Sequence, residues 1–119
     1  MSKATSVTTS SFQSEVIESK LPVVVDLWAP WCGPCRTMGP VLDELAAKFD
    51  GQVKVVKVNV DEEPAIAQAF GVQGIPTLAV LRGNKIVDHQ VGFAGRAGVT
   101  QLFERAAAGG VVTPEVVAQ

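Results

Sequence analysis

Two cysteines separated by two residues are the most chemically informative feature of the sequence. Cys32 and Cys35 are the only cysteines of the chain. At the start of a helix, residues at positions i and i+3 lie on one face, with side chains roughly 5–6 Å apart. A small adjustment brings such a pair within disulfide distance. The chain-entropy model gives so short a loop only about 2 kcal/mol of stabilisation, so the pair is better suited to reversible oxidation than to crosslinking.

The cysteines fall between two elements that can position them. The β-branched run Val23–Trp28 predicts a buried strand. From about Pro34 to Phe49 the apolar residues recur at helical spacing (Met38, Val41, Leu42, Leu45, Ala46 and Phe49). A helix therefore begins at the cysteines, and its free N–H groups and positive dipole end favour a thiolate over a thiol.

The order of the two cysteines predicts their roles in thiol–disulfide exchange. Cys32 comes first, so we expect it to be the more exposed residue and the attacking nucleophile. Cys35 lies one turn further in, and we expect it to be the resolving thiol that releases a mixed disulfide. Pro34 suits the first turn of a helix, and Gly33 leaves the backbone beside Cys32 open to a partner.

Other functions of a cysteine pair remain to be weighed against redox chemistry. A structural disulfide or an inert pair would gain little from so short a loop. A zinc site usually needs four ligands, whereas the chain offers two cysteines and one histidine, His89. His89 follows Asp88 in a predicted edge strand and is expected to be solvated. We therefore predict no metal site.

The pentapeptide Trp31-Cys32-Gly33-Pro34-Cys35, placed at a strand–helix junction, resembles the active-site motif of the thioredoxin family. The resemblance extends over roughly residues 4–108. It implies a protein-disulfide reductase, an electron carrier that reduces disulfides in partner proteins and maintains cell redox homeostasis. It also implies that no cofactor is bound and that electrons come from NADPH through a flavin-containing thioredoxin reductase. Gly33-Pro34 between the cysteines favours a reductant.

An acidic residue among valines, Asp26, is the second unusual feature of the strand. A carboxylate in that position is costly to bury and its pKa should rise. The residues alone leave open whether Asp26 transfers a proton for Cys35 or is a structural carboxylate satisfied by hydrogen bonds. The resemblance implies proton transfer. It also implies that Lys57 tunes Asp26, whereas the residues alone favour a snorkelling surface lysine.

A docking face beside the cysteines is implied by the same resemblance. By sequence alone Pro76 is a proline at a strand start. In thioredoxins the matching proline is cis and faces the cysteine pair, which would leave the backbone of Ile75 free to pair with a bound peptide. Trp31, Gly92 and Phe93 complete this predicted substrate-binding face.

The order of elements predicts an α/β protein of the thioredoxin fold, with a central mixed five-stranded sheet flanked by four helices. The predicted strands are 4–7, 23–28, 53–60, 78–81 and 85–91, and the predicted helices are 12–19, 34–49, 61–70 and 97–107. Ser10 with Gln13 suggests a capping box for the first helix. Residues 1–108 form the predicted domain and residues 109–119 a C-terminal tail.

Composition narrows the possible partners and location. The chain has 119 residues and a net charge of −2, which fits one domain and gives no basic footprint for nucleic acid or for a membrane surface. It has no apolar stretch near 18 residues, and the residues from Met1 to Ser6 lack the apolar core of a secretory signal. We therefore expect a cytoplasmic monomer.

Three alternative functions use the same fold. Glutaredoxin-like proteins and oxidase- or isomerase-like proteins usually carry other residues between the cysteines. A chaperone or assembly subunit would use the docking face for binding, with redox chemistry incidental. Pro30 stands where the thioredoxin family commonly has an acidic residue, which affects partner preference and redox potential rather than mechanism.

Overall fold

A strand of six residues, Val23–Trp28, lies at the centre of the computed structural model, which describes residues 4–112. Strands flank it on both sides and helices cover both of its faces. Its first five residues are consequently buried. This burial on both faces explains why the sequence of the strand is almost continuously apolar rather than alternating.

The elements follow the predicted order. The strands are β1 (Thr5–Ser6), β2 (Val23–Trp28), β3 (Lys54–Asn59), β4 (Thr77–Arg82) and β5 (Lys85–Val91). A π-helix (Gln13–Ile17) and three α-helices, α1 (Gly33–Lys48), α2 (Pro64–Phe70) and α3 (Gly95–Ala108), connect and cover them. Within residues 4–112 the sheet order is β1-β3-β2-β4-β5, with β1, β3 and β2 parallel and β4 and β5 antiparallel to their neighbours. The predicted mixed five-stranded sheet with four helices is confirmed.

Two apolar layers hold the sheet between the helices. The layer that contains α1 and α3 is built from alternate strand residues and the inner faces of both helices (Val24, Val55, Leu78 and Val80 with Met38, Leu42, Leu102 and Phe103). The opposite layer contains the π-helix and α2 (Val23, Val25, Leu27, Val56, Val58 and Ala79 with Val16 and Ile66). Because side chains alternate along a strand, Asp26 belongs to the same face of β2 as Val24 and is directed toward the α1 layer.

The π-helix begins without the predicted cap, and α2 contributes one buried side chain to the core. The predicted capping box at Ser10 is wrong, because Phe12 precedes the π-helix and no side chain caps it. In α2 Ile66 is buried, whereas Ala65 and Ala69 are exposed. The short helix turns only one residue fully into the core.

The segment after α3 is hydrogen-bonded to the sheet. The Arg82 guanidinium donates to the carbonyl oxygens of three successive residues, at 2.9 to 3.1 Å (Gly109, Gly110 and Val111). One residue further on, the Val112 amide donates to the Lys20 carbonyl oxygen at 2.8 Å. The first four residues of the predicted tail 109–119 are thus fastened beside the start of β2, and the others lie outside the described residues.

Candidate functional site

The cysteine pair lies at the start of α1, shortly after the end of β2. Cys32 is the N-cap residue of α1, and Cys35 lies in its first turn. The two residues form a disulfide, with their Cα atoms 5.2 Å apart. Pro34 occupies the first turn, where its missing N–H removes no helical hydrogen bond. The predicted junction of strand, disulfide and helix is therefore present.

Backbone groups at the helix start act directly on the sulfur of Cys32. The Cys35 amide donates to Cys32 Sγ at 3.2 Å. An N–H donor and the positive end of a helix both stabilise a thiolate at this position. Cys32 is 6% exposed and Cys35 is 3% exposed, so the exposure order is the expected one, but both residues are buried in the disulfide form.

The loop before the disulfide is held by hydrogen bonds from α1. The Arg36 guanidinium donates to the Pro30 carbonyl oxygen at 2.9 Å, and the Cys32 amide donates to the Ala29 carbonyl oxygen at 3.1 Å. These contacts fix the turn that delivers the chain from the strand to the helix. Cys32 therefore lies on a supported turn rather than on a free loop.

Asp26 is a buried carboxyl group without a hydrogen-bond partner. It is 1% exposed, and neither of its carboxylate oxygens accepts a hydrogen bond. Burial raises the pKa of Asp26 to about 7, against the opposing effect of the Lys57 charge, which lowers it. The structural alternative, a carboxylate satisfied by backbone N–H groups, does not fit these unpaired oxygens.

Lys57 is the direct neighbour of Asp26 on the adjacent strand. The parallel register pairs Asp26 with Lys57, so both side chains lie on the face of the sheet that α1 covers. The Lys57 ammonium is placed over the indole of Trp28, with Nζ 4.8 Å from the ring centroid. Lys57 thus influences Asp26 through its charge, without a hydrogen bond to the carboxylate.

Pro76 lies at the end of the sheet where the cysteines are. The Ile75–Pro76 peptide bond is cis, as the family resemblance implied. In the antiparallel pairing of β2 with β4, Leu27 is opposite Thr77, which sets Pro76 beside the last residue of β2. The Gly92 amide donates to the Pro76 carbonyl oxygen at 2.7 Å. This hydrogen bond joins the residue before β4 to the residue after β5.

The exposed part of the predicted docking face is dominated by Trp31. Trp31 is 67% exposed, and its Nε1 donates to Asp61 Oδ2 at 2.9 Å. Gly33 and Gly92 both border open space, since a Cβ built on either would contact nothing within 4 Å. Phe93 is half-buried and packs against the core layer of α1 and α3, so only part of its ring is available to a partner.

Two contributors to the site were not identified from sequence. Asp61 begins the predicted helix 61–70, and its place in the sequence does not indicate that it holds the exposed indole of Trp31. Trp28 was assigned only to a strand, but its ring contacts the Lys57 ammonium. Neither contact has a local signal, because the partners are about 30 residues apart in the chain.

Two negative findings concern the described residues. Among residues 4–112 no group of three or more His, Cys, Asp or Glu side chains is arranged to hold a metal ion. In the same part of the chain, no helix has the length and apolar character needed to cross a membrane.

The disulfide at the head of α1, with the proline-containing loop beside it and a mixed sheet beneath, defines a thiol–disulfide oxidoreductase of the thioredoxin fold. The thioredoxin family model matches residues 3–105. The chain belongs to the thioredoxin family, and its Cys32–Cys35 pair is a thiol–disulfide redox centre.

Named relatives are similar over almost the whole domain. The chain is 49% identical over 105 residues to thioredoxin 1 of Nostoc sp. and 53% identical over 105 residues to thioredoxin 1 of Synechococcus elongatus. Each alignment covers 88% of this chain and 98% of the relative. It is also 42% identical over 103 residues to the chloroplastic M-type thioredoxin of Chlamydomonas reinhardtii, covering 87% of this chain and 74% of that protein.

Proposed function

We propose that the protein is a general protein-disulfide reductase that passes two electrons from its Cys32–Cys35 dithiol to disulfides in partner proteins. The observation that carries the proposal is the placement of Cys32 as N-cap of α1, with its sulfur accepting the Cys35 amide. That geometry stabilises a Cys32 thiolate when the pair is reduced. The strand–helix junction then presents the nucleophile beside an exposed tryptophan.

In the proposed reaction the Cys32 thiolate attacks one sulfur of the partner disulfide. A mixed disulfide forms, and the other partner sulfur leaves as a thiolate and takes up a proton. Cys35 then loses its proton and attacks the sulfur of Cys32. The partner is released as a dithiol, and the Cys32–Cys35 disulfide is restored.

Asp26 is the proposed proton acceptor for Cys35. Cys35 lies on the buried face of α1, and Asp26 is directed from β2 toward the same layer. A carboxyl group with a pKa of about 7 exchanges protons readily near neutral pH. Lys57 is proposed to tune Asp26, in keeping with the effect of its charge on that pKa.

Trp31, Ile75, cis-Pro76, Gly92 and Phe93 form the proposed substrate-binding face. The exposure of Trp31 and the open space beside both glycines support it. Gly33 and Pro34 would tune the pair toward reduction. Of the residues of this face, Trp31 is exposed, Ile75, Gly92 and Phe93 are half-buried and Pro76 is buried, so Trp31 supplies most of the apolar surface that a partner could cover.

In the proposed cell setting, a reductase restores the Cys32–Cys35 dithiol after each turnover. No bound cofactor is required, because electrons would come from NADPH through a flavin-containing thioredoxin reductase. The protein would act as a monomer in the cytoplasm, with residues 1–108 as the redox domain and residues 109–119 as a tail. Its role would be electron transport to protein disulfides and maintenance of redox homeostasis.

Reduction of insulin disulfides with NADPH and a thioredoxin reductase tests this function. Turnover should require the reductase, and glutathione should not replace it. Activity only with glutathione would indicate a glutaredoxin-like protein, and inactivity with both would favour the chaperone or assembly subunit. Cys35→Ser should accumulate a mixed disulfide through Cys32, whereas Cys32→Ser, the matched control, should trap nothing.

A further inference from the structure

The position of the Lys57 ammonium is unexpected for a lysine next to a buried carboxyl group. The register places Lys57 directly opposite Asp26, and both carboxylate oxygens lack a hydrogen-bond partner. An ammonium in that position would be expected to donate to the carboxylate. Its Nζ instead lies 4.8 Å from the centroid of the Trp28 ring, within the range of a cation–π contact.

We propose that Trp28 is a positioning residue, whose indole holds the Lys57 ammonium away from the Asp26 carboxylate and so keeps that carboxyl group free of a direct ion pair. Trp28 lies two residues after Asp26 on β2, so both side chains are on the same face of the strand. Lys57 on β3 can therefore contact either one. The structure assigns its ammonium to the ring.

The separation between the Lys57 ammonium and the Asp26 carboxylate decides how strongly the positive charge lowers the pKa of Asp26. An ammonium in direct contact with a buried carboxylate favours the ionised form strongly, because water does not screen the pair. At the greater separation imposed by the indole, burial outweighs the Lys57 charge, and the pKa of Asp26 is about 7. Without the ring, the ammonium would be free to move toward the unpaired carboxylate of Asp26, its register neighbour.

The other groups that face Asp26 can be controlled. On β4 its register partner is the apolar Leu78, and α3 adds apolar residues to this layer (Val99, Leu102 and Phe103). On α1 the titratable neighbour is Cys35, which does not titrate while it is disulfide-bonded. Measuring the oxidised protein therefore leaves Lys57 as the charged neighbour under test.

The experiment is a double-mutant cycle read out by NMR titration of the Asp26 carboxyl carbon in the oxidised full-length chain. Trp28→Leu should shift the midpoint to lower pH, because the ammonium is released onto the carboxylate. Trp28→Phe, which keeps an aromatic face, should shift it less. Lys57→Met alone should shift it to higher pH, and in the Lys57→Met background Trp28→Leu should no longer produce its downward shift.

Two outcomes would overturn the proposal. One is an unchanged or higher midpoint in Trp28→Leu. The other is the same shift in both Lys57 backgrounds, which would mean that the ring acts by excluding water from Asp26 rather than by holding the ammonium.

A measurement on the unmutated protein tests the contact between Trp28 and Lys57 even if the variants fail to fold. Protons on the Lys57 carbon next to the ammonium should be shifted upfield by the ring current of the indole, and normal shifts would contradict the contact.

The inference rests on the proposed role of Asp26 but is tested separately from it. If Asp26→Asn leaves exchange rates unchanged, the proton-transfer role fails, while the titration cycle still reports whether Trp28 positions Lys57.

Discussion

The indole of Trp31 donates a hydrogen bond to Asp61 Oδ2 at 2.9 Å, across 30 residues of sequence. The contact joins the residue before Cys32 to the segment between β3 and α2. Trp31 is 67% exposed, so this hydrogen bond restrains a large apolar ring that the core does not hold. Asp61 thereby sets the orientation of a ring that belongs to the proposed substrate-binding face.

Asp61→Ala should weaken partner binding more than it weakens the fold. A hydrogen bond of this kind contributes about 0.5–1.5 kcal/mol, so KM for insulin should rise by a factor on the order of two to ten, with kcat unchanged. Insulin reduction kinetics measure this. Asp61→Asn, which keeps an oxygen acceptor, should remain close to the unmutated protein, and equal KM values for both variants would contradict the role.

The raised pKa of Asp26 makes stability depend on pH. The folded protein keeps a proton up to about pH 7, whereas the unfolded chain releases it near the ordinary pKa of 3.8. The folded state binds more protons between those values, so the free energy of unfolding falls as pH rises through this window. The loss is on the order of 4 kcal/mol.

Urea unfolding of the oxidised protein at several pH values measures that dependence. Asp26→Asn removes the titration while keeping the size of the side chain, so its free energy of unfolding should vary much less from about pH 4 to about pH 7. The same decline in both proteins would show that other groups cause it.

Alanine substitutions at Gly92 and Gly33 separate the effect of backbone strain on stability from the effect of an added methyl group on partner binding. Gly92 has φ of +83°, whereas Gly33 is helical, and an added Cβ would meet open space at both. Gly92→Ala should cost about 1–2 kcal/mol of stability from the left-handed backbone alone. Gly33→Ala should cost none, because alanine favours a helix.

Both alanine variants should raise KM for insulin if the two positions border the docking face, since each methyl group occupies space that a partner would use. Thermal unfolding together with insulin kinetics distinguishes the two effects. A normal KM in Gly33→Ala would show that Gly33 does not border the docking face, because that variant carries no strain.

Arg82 is predicted to stabilise the segment after α3. Its guanidinium donates to three carbonyl oxygens, and Arg82→Ala should lower the free energy of unfolding by about 1–3 kcal/mol. Arg82→Lys should recover little, because an ammonium cannot reproduce a planar fork. Urea unfolding measures both, and hydrogen exchange of the Val112 amide should accelerate in both.

Arg105→Ala provides the matched control for Arg82. Arg105 donates to the Asp88 carboxylate at 2.8 Å on the exposed side of α3, and exposed ion pairs contribute little. Its removal should leave Val112 exchange unchanged. An equal loss of stability in Arg82→Ala and Arg105→Ala would show that the three carbonyl contacts have no special weight.

Much of the site could be predicted from the sequence because it depends on local spacing. Two residues between the cysteines place both on the first turn of α1, and the two-residue period of a strand predicts which residues share a face with Asp26 and with Lys57. Their alignment as direct neighbours needed the register, which the structure supplies. The cis bond before Pro76 came only from the family resemblance.

Other features had no local pattern to reveal them. Trp31 with Asp61, and Arg82 with the segment after α3, are contacts between groups far apart in the chain, and nothing periodic marks either one. The small difference in exposure between Cys32 and Cys35 was also unforeseen. Both residues are buried in the disulfide form, although they lie at different positions along the start of the helix.

The hydrogen bonds of Arg82 have a practical consequence for attaching this protein to other molecules. Arg82 follows Leu81, which pairs with Val23 at the start of β2, whereas the disulfide follows the other end of that strand. A strand of six residues separates these ends by about 20 Å. Cargo or an electrode attached at Val112 would therefore lie at the end of the sheet opposite the Cys32–Cys35 disulfide, and the disulfide end of the domain would stay free of the attachment.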